Sequence, residues 1–349
     1  MSRRLKLRRG VVVGEEPLTV EVGGERRPAW ADEALLGEMR AGDEVIVNTA
    51  ALDLGLGSGG FDVIHVNLTR GLEASGDSRE HVIKLNYTSL QHPVEPVELP
   101  VFANHEIGGK GTPEGSERAI PVLVLPLHGH LAPAAWAAAQ AAAPGLRVGY
   151  VQTAGGALPG SLSRDVKQLR EQGLLCGHIT VAPAYGGEHE ALSVAGALDA
   201  AAHGLDWDTA LIGPGPGIIG SETRLGHGGM AALDSAHAAL ALGLPTLLSP
   251  RLSEADPRER HQGVSHHTLT VLELLLGGVE VPMPANHPAI AARLAEAAGD
   301  RHRFHEASPD LAGYAASRLP ARTMGRTIEE DPLFFAAPLA AGVLLRHEE

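Results

Sequence analysis

One arrangement recurs through the second half of this 349-residue chain. An apolar, strand-like run is followed by a glycine-rich or polar segment, and then by a helix-like run. Strands that alternate with helices in this way are typical of βαβ units and a parallel sheet. In open α/β sheets, ligands bind outside the carboxyl ends of the strands. We therefore expect one shared site, formed by the segments that follow five of the strands: 128–130, 153–161, 185–190, 213–223 and 254–268.

The region before this pattern has a different character. Up to residue 98, short apolar runs alternate with turn residues, which indicates a small β-barrel or β-sandwich domain. Residues 99–118 are rich in glycine, proline and charge and are predicted to be a linker. Residues 119–349 are predicted to form a three-layer, Rossmann-like α/β domain with a mostly parallel sheet. Runs such as Val122–Leu125 are apolar throughout, as expected for strands that are covered on both faces.

The element boundaries can be predicted from the same patterns. The strands predicted in the first region are Gly10–Val13, Leu18–Val22, Glu44–Asn48, Phe61–Leu68 and His81–Leu85. The helices predicted in the second region are Leu131–Ala143, Ser161–Gln172, Glu190–Ala202, Gly229–Leu242 and Ser265–Leu276.

Composition argues against several classes of protein. Lys and Arg total 28 against 42 Asp and Glu, and this net charge of -14 argues against nucleic-acid binding, which needs a basic surface. No stretch approaches the roughly 20 apolar residues of a membrane helix. The single cysteine, Cys176, begins an apolar run, which favours a core residue over a nucleophile. We expect a cytoplasmic protein that binds neither nucleic acid nor membrane. The apolar segment Leu333–Leu345 is compatible with either a core helix or a homo-oligomer surface.

The last of the five segments, residues 254–268, has the densest polar sequence. Its candidate site residues are Asp256, Arg258, Arg260, His261, Ser265 and His266. Ser265 has the position of a helix N-cap, which by itself accounts for a serine there. A protonated histidine is disfavoured at a helix N-terminus, so His266 and His267 are expected to be neutral and able to accept a proton or bind a metal ion. The alternative for each histidine is a surface or hydrogen-bonded core position.

Carboxylates and histidines also follow two other strands. Glu188 and Glu190 lie at the start of a predicted helix, where a carboxylate is favoured either by a ligand or by the helix dipole alone. His128 and His130 are expected to face one pocket, because residues i and i+2 share a face in an extended chain. With Glu188 or Asp256 they would form a set suited to a divalent metal ion. No HExxH spacing supports that set, so the cofactor stays open.

Glycine-rich turns after the strands are suited to an anion. Backbone N–H groups at helix N-termini bind phosphate or carboxylate, and tight strand-to-helix turns also require glycine, so both explanations stay open. The candidate ligand-binding residues in these turns are Thr153, Gly155, Gly156, Gly187, Gly215 and Gly217. Neither a Walker A motif nor a GxSxG nucleophile elbow is present, which argues against a P-loop nucleotidase and a common α/β-hydrolase.

Eight short strings together resemble an uncharacterised bacterial family, domain of unknown function 3866, over the whole chain. They are Gly42–Thr49, Leu54–Gly57 with Gly59–Gly60, Tyr150–Thr153, Gly186–Gly187 with Glu190–Ala191, Gly215–Gly220, Asp256–His261, Ser265–Thr268 and Thr323–Arg326. The chain departs from the family pattern at Ala154, where an acidic residue is common, and at His130, where a Gln-like residue is common. The resemblance implies the full-length architecture and no particular reaction.

Two functions are consistent with these observations. The first is an enzyme acting on a small anionic metabolite, with glycine turns and arginines binding the anion. Its acid–base groups would be His261 or His266, partnered by Glu188 or Asp256. The second is a non-catalytic metabolite-binding or regulatory protein, which would show ligand affinity without turnover.

Overall fold

The computed structural model describes residues 4–56, 59–72, 82–99, 119–141 and 145–345. The chain divides into two compact units, Met1–Pro93 and Val94–Glu349. The predicted linker, apart from residue 99, lies outside the described residues. Within the described ranges, no helix is both long enough and apolar enough to cross a membrane.

The first unit contains a closed five-stranded barrel. In its described part, the strands are β1 (Leu7–Glu15), β2 (Leu18–Val22), β3 (Glu25–Trp30), β4 (Glu44–Asn48) and β5 (Asp62–Asn67), and the short helices are α1 (Glu33–Leu36) and α2 (Ala50–Asp53). The strand order is β1-β2-β3-β5-β4, with β3 and β5 parallel and β1 closing the barrel against β4. Val45 and Val47 alternate with more exposed neighbours along β4, as expected for a strand with one buried face. The first domain is thus a barrel and not a sandwich.

The strand predicted at residues 81–85 lies outside this barrel. It is observed as β6 (Val82–Lys84), and it pairs with β7 (His92–Val94) in a separate two-stranded sheet.

The second unit alternates strands and helices. Its described strands are β8 (Val122–Val124), β9 (Val148–Thr153), β10 (Gly177–Val181), β11 (His189–Ala191), β12 (Thr209–Pro214), β13 (Thr246–Leu248), β14 (Leu252–Ser253), β15 (Gly263–Val264), β16 (Glu280–Pro284), β17 (Arg303–Ala307), β18 (Arg322–Thr323) and β19 (Arg326–Thr327). Its described helices are α3 (Leu131–Ala141), α4 (Arg164–Glu171), α5 (Val194–His203), α6 (Ala231–Ala241), α7 (His266–Leu274), α8 (Pro288–Ala298), α9 (Leu311–Ala316) and α10 (Pro332–Val343).

The main sheet is parallel throughout and has helices on both faces, which confirms the predicted α/β fold. Among the described residues its eight strands have the order β11-β10-β9-β12-β8-β13-β16-β17. Side chains of β8 alternate between two cores: Val122 and Val124 pack with residues of α5, α6 and α7. Leu123 packs on the opposite face with residues of α3, α4 and α10.

The strand order places a crevice at one point of the sheet. Strand β8 lies between β12 and β13. From β8 the chain builds the sheet outward through β9, β10 and β11, then returns to β12 and crosses to β13 on the other side of β8. Connections on the two sides of β8 therefore run in opposite directions, and such a switch point is where open α/β sheets bind ligands. The segments after β8, β12 and β13 meet at this point.

Candidate functional site

A cavity of about 530 Å³ lies at the switch point. Its walls come from the segments after β8, β12 and β13, together with Asp165 of α4 and residues near β18. Its charged and titratable lining residues are Arg251, Arg258, Arg260, Arg322, His128, His227, His261, His266, His267, Asp165 and Glu222. Four arginines against two carboxylates give this lining a cationic excess, although the whole chain carries a net charge of -14.

The arginines are arranged around one buried carboxylate. Asp256 is 0% exposed and accepts two hydrogen bonds from Arg258, each of 2.8 Å, in a bidentate pair. Arg251 donates to Asp256 at 3.3 Å. The Arg326 guanidinium approaches the same carboxylate at 3.6 Å, and Arg326 also pairs with buried Asp331 at 3.0 Å. Asp256 therefore positions arginines at the cavity and has no free oxygen for acid–base chemistry.

The other two arginines are held more loosely. Arg260 pairs with Glu222 at 3.4 Å on the exposed rim. The Arg322 guanidinium donates to the backbone carbonyl of Gly325 at 2.7 Å, and no ion pair to it is found among the described residues. These side chains are therefore able to turn toward a bound anion.

Four of the lining histidines form a cluster. The rings of His227 and His267 are stacked, with centroids 3.5 Å apart and planes 6° from parallel. The His266 ring lies 4.4 Å from His267 and 5.5 Å from His227, and the His261 ring lies 4.8 Å from His267. Ser265 caps α7 by accepting from the His267 N–H, and the Ser265 hydroxyl is 2.7 Å from His261 Nδ1. The cap thus holds one member of the cluster in place.

Burial favours the neutral form in all four imidazoles of the cluster. Burial lowers the pKa of His261 to about 3 and of His267 to about 2, and the nearby guanidinium of Arg251 acts in the same direction. Burial also lowers the pKa of His227 and of His266. With pKa values this low, His261 and His267 are weak general bases near pH 7. A neutral imidazole keeps one unprotonated nitrogen, which is the form that ligates a metal ion.

His128 lies at the cavity but apart from this cluster. Its Nδ1 donates to the carbonyl of Pro214 at 3.3 Å, so its Nε2 accepts from the Ser163 hydroxyl at 2.8 Å. Asp165 is 3.8 Å from the same Nε2 and also lines the cavity. Burial lowers the pKa of His128. His128 and Asp165 are therefore the histidine and carboxylate that the fold brings together at the cavity.

The expectation that His128 and His130 face one pocket is wrong. These residues form a 3₁₀ turn and not an extended strand, so positions i and i+2 do not share a face. His130 is 0% exposed, bonds Ser249 through Nδ1 at 2.9 Å and packs edge-on against Phe334. It is a core residue and does not line the cavity.

The glycines of the predicted anion turns mainly allow backbone segments to approach one another. A Cβ at Gly155 would overlap the carbonyl of Gly228, and a Cβ at Gly156 would overlap the carbonyl of Gly215. Of the anion-turn glycines, Gly217 lines the cavity, with a left-handed φ of 72°. Thr153, at the end of β9, is buried and bonds the carbonyl of Ala154. The segment 153–161 therefore packs behind the cavity wall and does not line the cavity.

The segment after β10 lies outside the cavity lining. Glu188 is exposed and pairs with Arg170 at 2.9 Å. Glu190 accepts from the N–H of Gly186 at 2.6 Å, and the N–H of Gly187 donates to Thr180. These contacts shape the loop, and Glu188 is not brought to the histidines.

Several residues that line the cavity are not among the site residues predicted from the sequence. Arg251 is the third residue after β13, and His227 precedes α6 in a Gly-His-Gly-Gly string, so both have the strand-end or helix-start position that marks site residues. Arg322 belongs to a two-residue strand far along the chain, and no sequence pattern relates it to the sheet.

Fold and site together define a class of two-unit protein, in which a Rossmann-like α/β unit with a His/Arg-lined cavity accompanies a small barrel. The chain belongs to the family described as Protein of unknown function (DUF3866), whose model matches residues 28–342. This match confirms the resemblance over nearly the whole chain. No curated protein and no solved structure matches it.

Proposed function

We propose that the protein is an enzyme that binds a small anionic metabolite, with a phosphate or carboxylate group, in the switch-point cavity. One observation carries the proposal: four arginines line a single cavity of about 530 Å³ in an acidic chain. Guanidinium groups bind phosphate and carboxylate in bidentate geometry. A cavity of this volume suits a small metabolite. A cytoplasmic location is part of the same proposal.

The arginines divide into a fixed pair and a movable pair. Arg251 and Arg258 are held by Asp256, so their positions are set before a ligand arrives. Arg260 and Arg322 have weaker partners and can close on the anion. Fixed donors limit the entropy that is lost on binding, and this arrangement supports specific recognition of one anionic group.

The acid–base part of the predicted chemistry needs a different carboxylate. Glu188 and Asp256 are engaged in ion pairs, one on the surface and the other beneath the arginines. His128 and Asp165 both line the cavity. We therefore assign the carboxylate role in the proposed enzyme to Asp165, which lies beside His128 at the cavity.

Replacing Arg322 with Gln is expected to weaken binding of the anion by about 10- to 100-fold, since a hydrogen bond to a charged group contributes about 1.5–3 kcal/mol. The measurement is a thermal-shift screen of tag-free protein against sugar phosphates, nucleotides, acyl-CoAs and carboxylic acids, followed by titration calorimetry with each compound that stabilises the protein. The matched control is Arg303→Gln, because Arg303 is an exposed arginine on β17 and does not line the cavity.

Turnover is measured separately from binding. Compounds that bind are incubated with the protein, and products are followed by mass spectrometry. Product formation that is lost in Asp165→Asn supports the enzyme, whereas affinity without product would favour the non-catalytic metabolite-binding protein. Equal affinities of wild type and Arg322→Gln for every bound anion would contradict the proposed site.

A further inference from the structure

We infer that His227, His266 and His267 form a site for a divalent transition-metal ion such as Zn²⁺. One imidazole nitrogen from each residue lies within 4.8 Å of the others. In a tetrahedral site with Zn–N bonds of about 2.0–2.1 Å, ligand nitrogens are roughly 3.4 Å apart. The three rings must therefore move for their nitrogens to reach that spacing. The inference goes beyond the proposed function, because metal binding is measurable without a substrate.

His227 has the hydrogen bonding of a metal ligand. Its Nε2–H donates to the backbone carbonyl of Arg224 at 3.0 Å, which leaves Nδ1 unprotonated. Nδ1 is buried, has no hydrogen-bond partner among the described residues, and belongs to a residue that is 8% exposed. A carbonyl that accepts from one ring nitrogen while the other nitrogen ligates the metal is the common outer-shell arrangement of metal-binding histidines.

A second unpartnered nitrogen belongs to the same cluster. His266 Nε2 is buried and has no hydrogen-bond partner in the described part of the chain. Buried polar atoms are normally paired, so two such nitrogens in neighbouring rings indicate a missing ligand common to both. Gly229 lies beside His227 and His267. A Cβ on Gly229 would be 3.1 Å from His227 Nδ1 and 3.2 Å from His267 Nδ1, so the glycine leaves space next to these two nitrogens.

The surroundings determine what else the ion would bind. Arg251 donates to His267 Nδ1 at 3.3 Å, and the charges of Arg258 and Arg260 also act on His266. The positive charges of these arginines disfavour binding of a metal ion, although Asp256 forms ion pairs with Arg251 and Arg258. Three imidazole ligands leave a fourth position open, as in catalytic zinc sites. An anion in that position, either hydroxide or the substrate, would balance the local charge.

Binding requires one rearrangement. A metal ion lies in the plane of each imidazole that ligates it, and the parallel rings of His227 and His267 are 3.5 Å apart. The two rings must therefore tilt away from their stacked arrangement when the ion binds. His227 lies in the segment 215–230 between β12 and α6, just before the 3₁₀ turn Gly228–Met230, so its ring can tilt without displacing β12.

The test uses tag-free protein treated with EDTA and titrated with Co²⁺ or Zn²⁺. The visible spectrum of Co²⁺ reports its coordination, and calorimetry with Zn²⁺ gives the stoichiometry. We expect one ion per chain, and His227→Asn, His266→Asn and His267→Asn should each weaken binding by about 100-fold or more, beyond the usual effect of losing an outer-shell partner. The matched control is His65→Asn in the barrel unit, which should bind as the wild type does.

A second variant keeps the test decisive where a histidine variant does not fold. Gly229→Ala retains all three histidines but crowds the Nδ1 atoms of His227 and His267, and it should weaken binding by about 10-fold or more while leaving the circular dichroism spectrum unchanged. Absence of binding at millimolar metal, or equal binding by the wild type and these variants, would overturn the inference. Binding of an anion by the EDTA-treated protein, together with no binding of metal, would overturn the inference and leave the proposed function in place.

Discussion

Replacing Asp256 with Asn is expected to lower the free energy of unfolding by about 3–5 kcal/mol, the usual cost of removing one partner from a buried ion pair. Asp256 is 0% exposed, and the side chain of Arg251 is only 5% exposed. Asn fills the same space but leaves the buried guanidinium without its counterion. Urea unfolding of both proteins at pH 7 measures the difference.

The pH dependence of this loss has a defined sign. Burial alone would raise the pKa of Asp256, but hydrogen bonds from Arg258 and the charge of Arg251 hold that pKa well below its usual value. A carboxylate with a depressed pKa in the folded state stabilises the fold above its unfolded pKa of about 3.9, and the contribution is lost as the pH falls through the folded pKa. The difference in the free energy of unfolding between wild type and Asp256→Asn should therefore have its full value at pH 7 and shrink below about pH 4.

Glu254→Gln is the matched control for Asp256→Asn. Glu254 is an exposed carboxylate two residues earlier, so its loss should change the free energy of unfolding by less than about 0.5 kcal/mol. If the two variants unfold at the same urea concentration, the arginines do not depend on Asp256.

The barrel shows which local features can be read from a sequence. Strands β2 and β4 have the predicted boundaries, because their apolar residues alternate clearly between turns. Strand β3 was not predicted, because its sequence Glu25–Trp30 is charged and contains Pro28, which is unusual within a strand. Closure of the barrel depends on the parallel pairing of β3 with β5. The sequence of neither strand indicates such a long-range pairing.

One predicted helix start is wrong because a short strand precedes the helix. The helix predicted to start at Glu190 begins at Val194, because Glu190 belongs to β11 and Ser193 is the N-cap. A three-residue strand is too short to produce a periodic pattern, and a helix pattern beside it conceals it.

The site was predictable in position but not in composition. Of the five strand-end segments, those beginning at residues 128, 213 and 254 line the cavity, and the other two do not. Sequence order identifies strand ends, but the order of strands in the sheet decides which ends are neighbours. That order, with β8 between β12 and β13, also explains why Arg251 completes the site.

Replacing Trp207 with Ala is expected to lower the free energy of unfolding by about 3–5 kcal/mol, as for other large-to-small changes in a core. Trp207 is 1% exposed, and its indole covers Gly149 of β9 and Gly177 of β10. The two glycines are register partners in neighbouring strands, so together they leave a flat area that the ring fills. Among the described residues, the atoms nearest to a Cβ built on either glycine all belong to Trp207, so Ala would leave a cavity there. Urea unfolding measures the loss.

The variants Trp207→Phe and Gly149→Ala test this explanation from both sides. Phe refills part of the cavity, so it should recover part of the lost stability. Ala at 149 would overlap the indole, so it should destabilise the wild-type protein and should be tolerated in the Trp207→Ala background, where space is available. Because Trp207 does not line the switch-point cavity, folded Trp207→Ala should bind the anion with unchanged affinity. A loss of stability that is additive in the double variant would show that the ring and the glycines do not depend on each other.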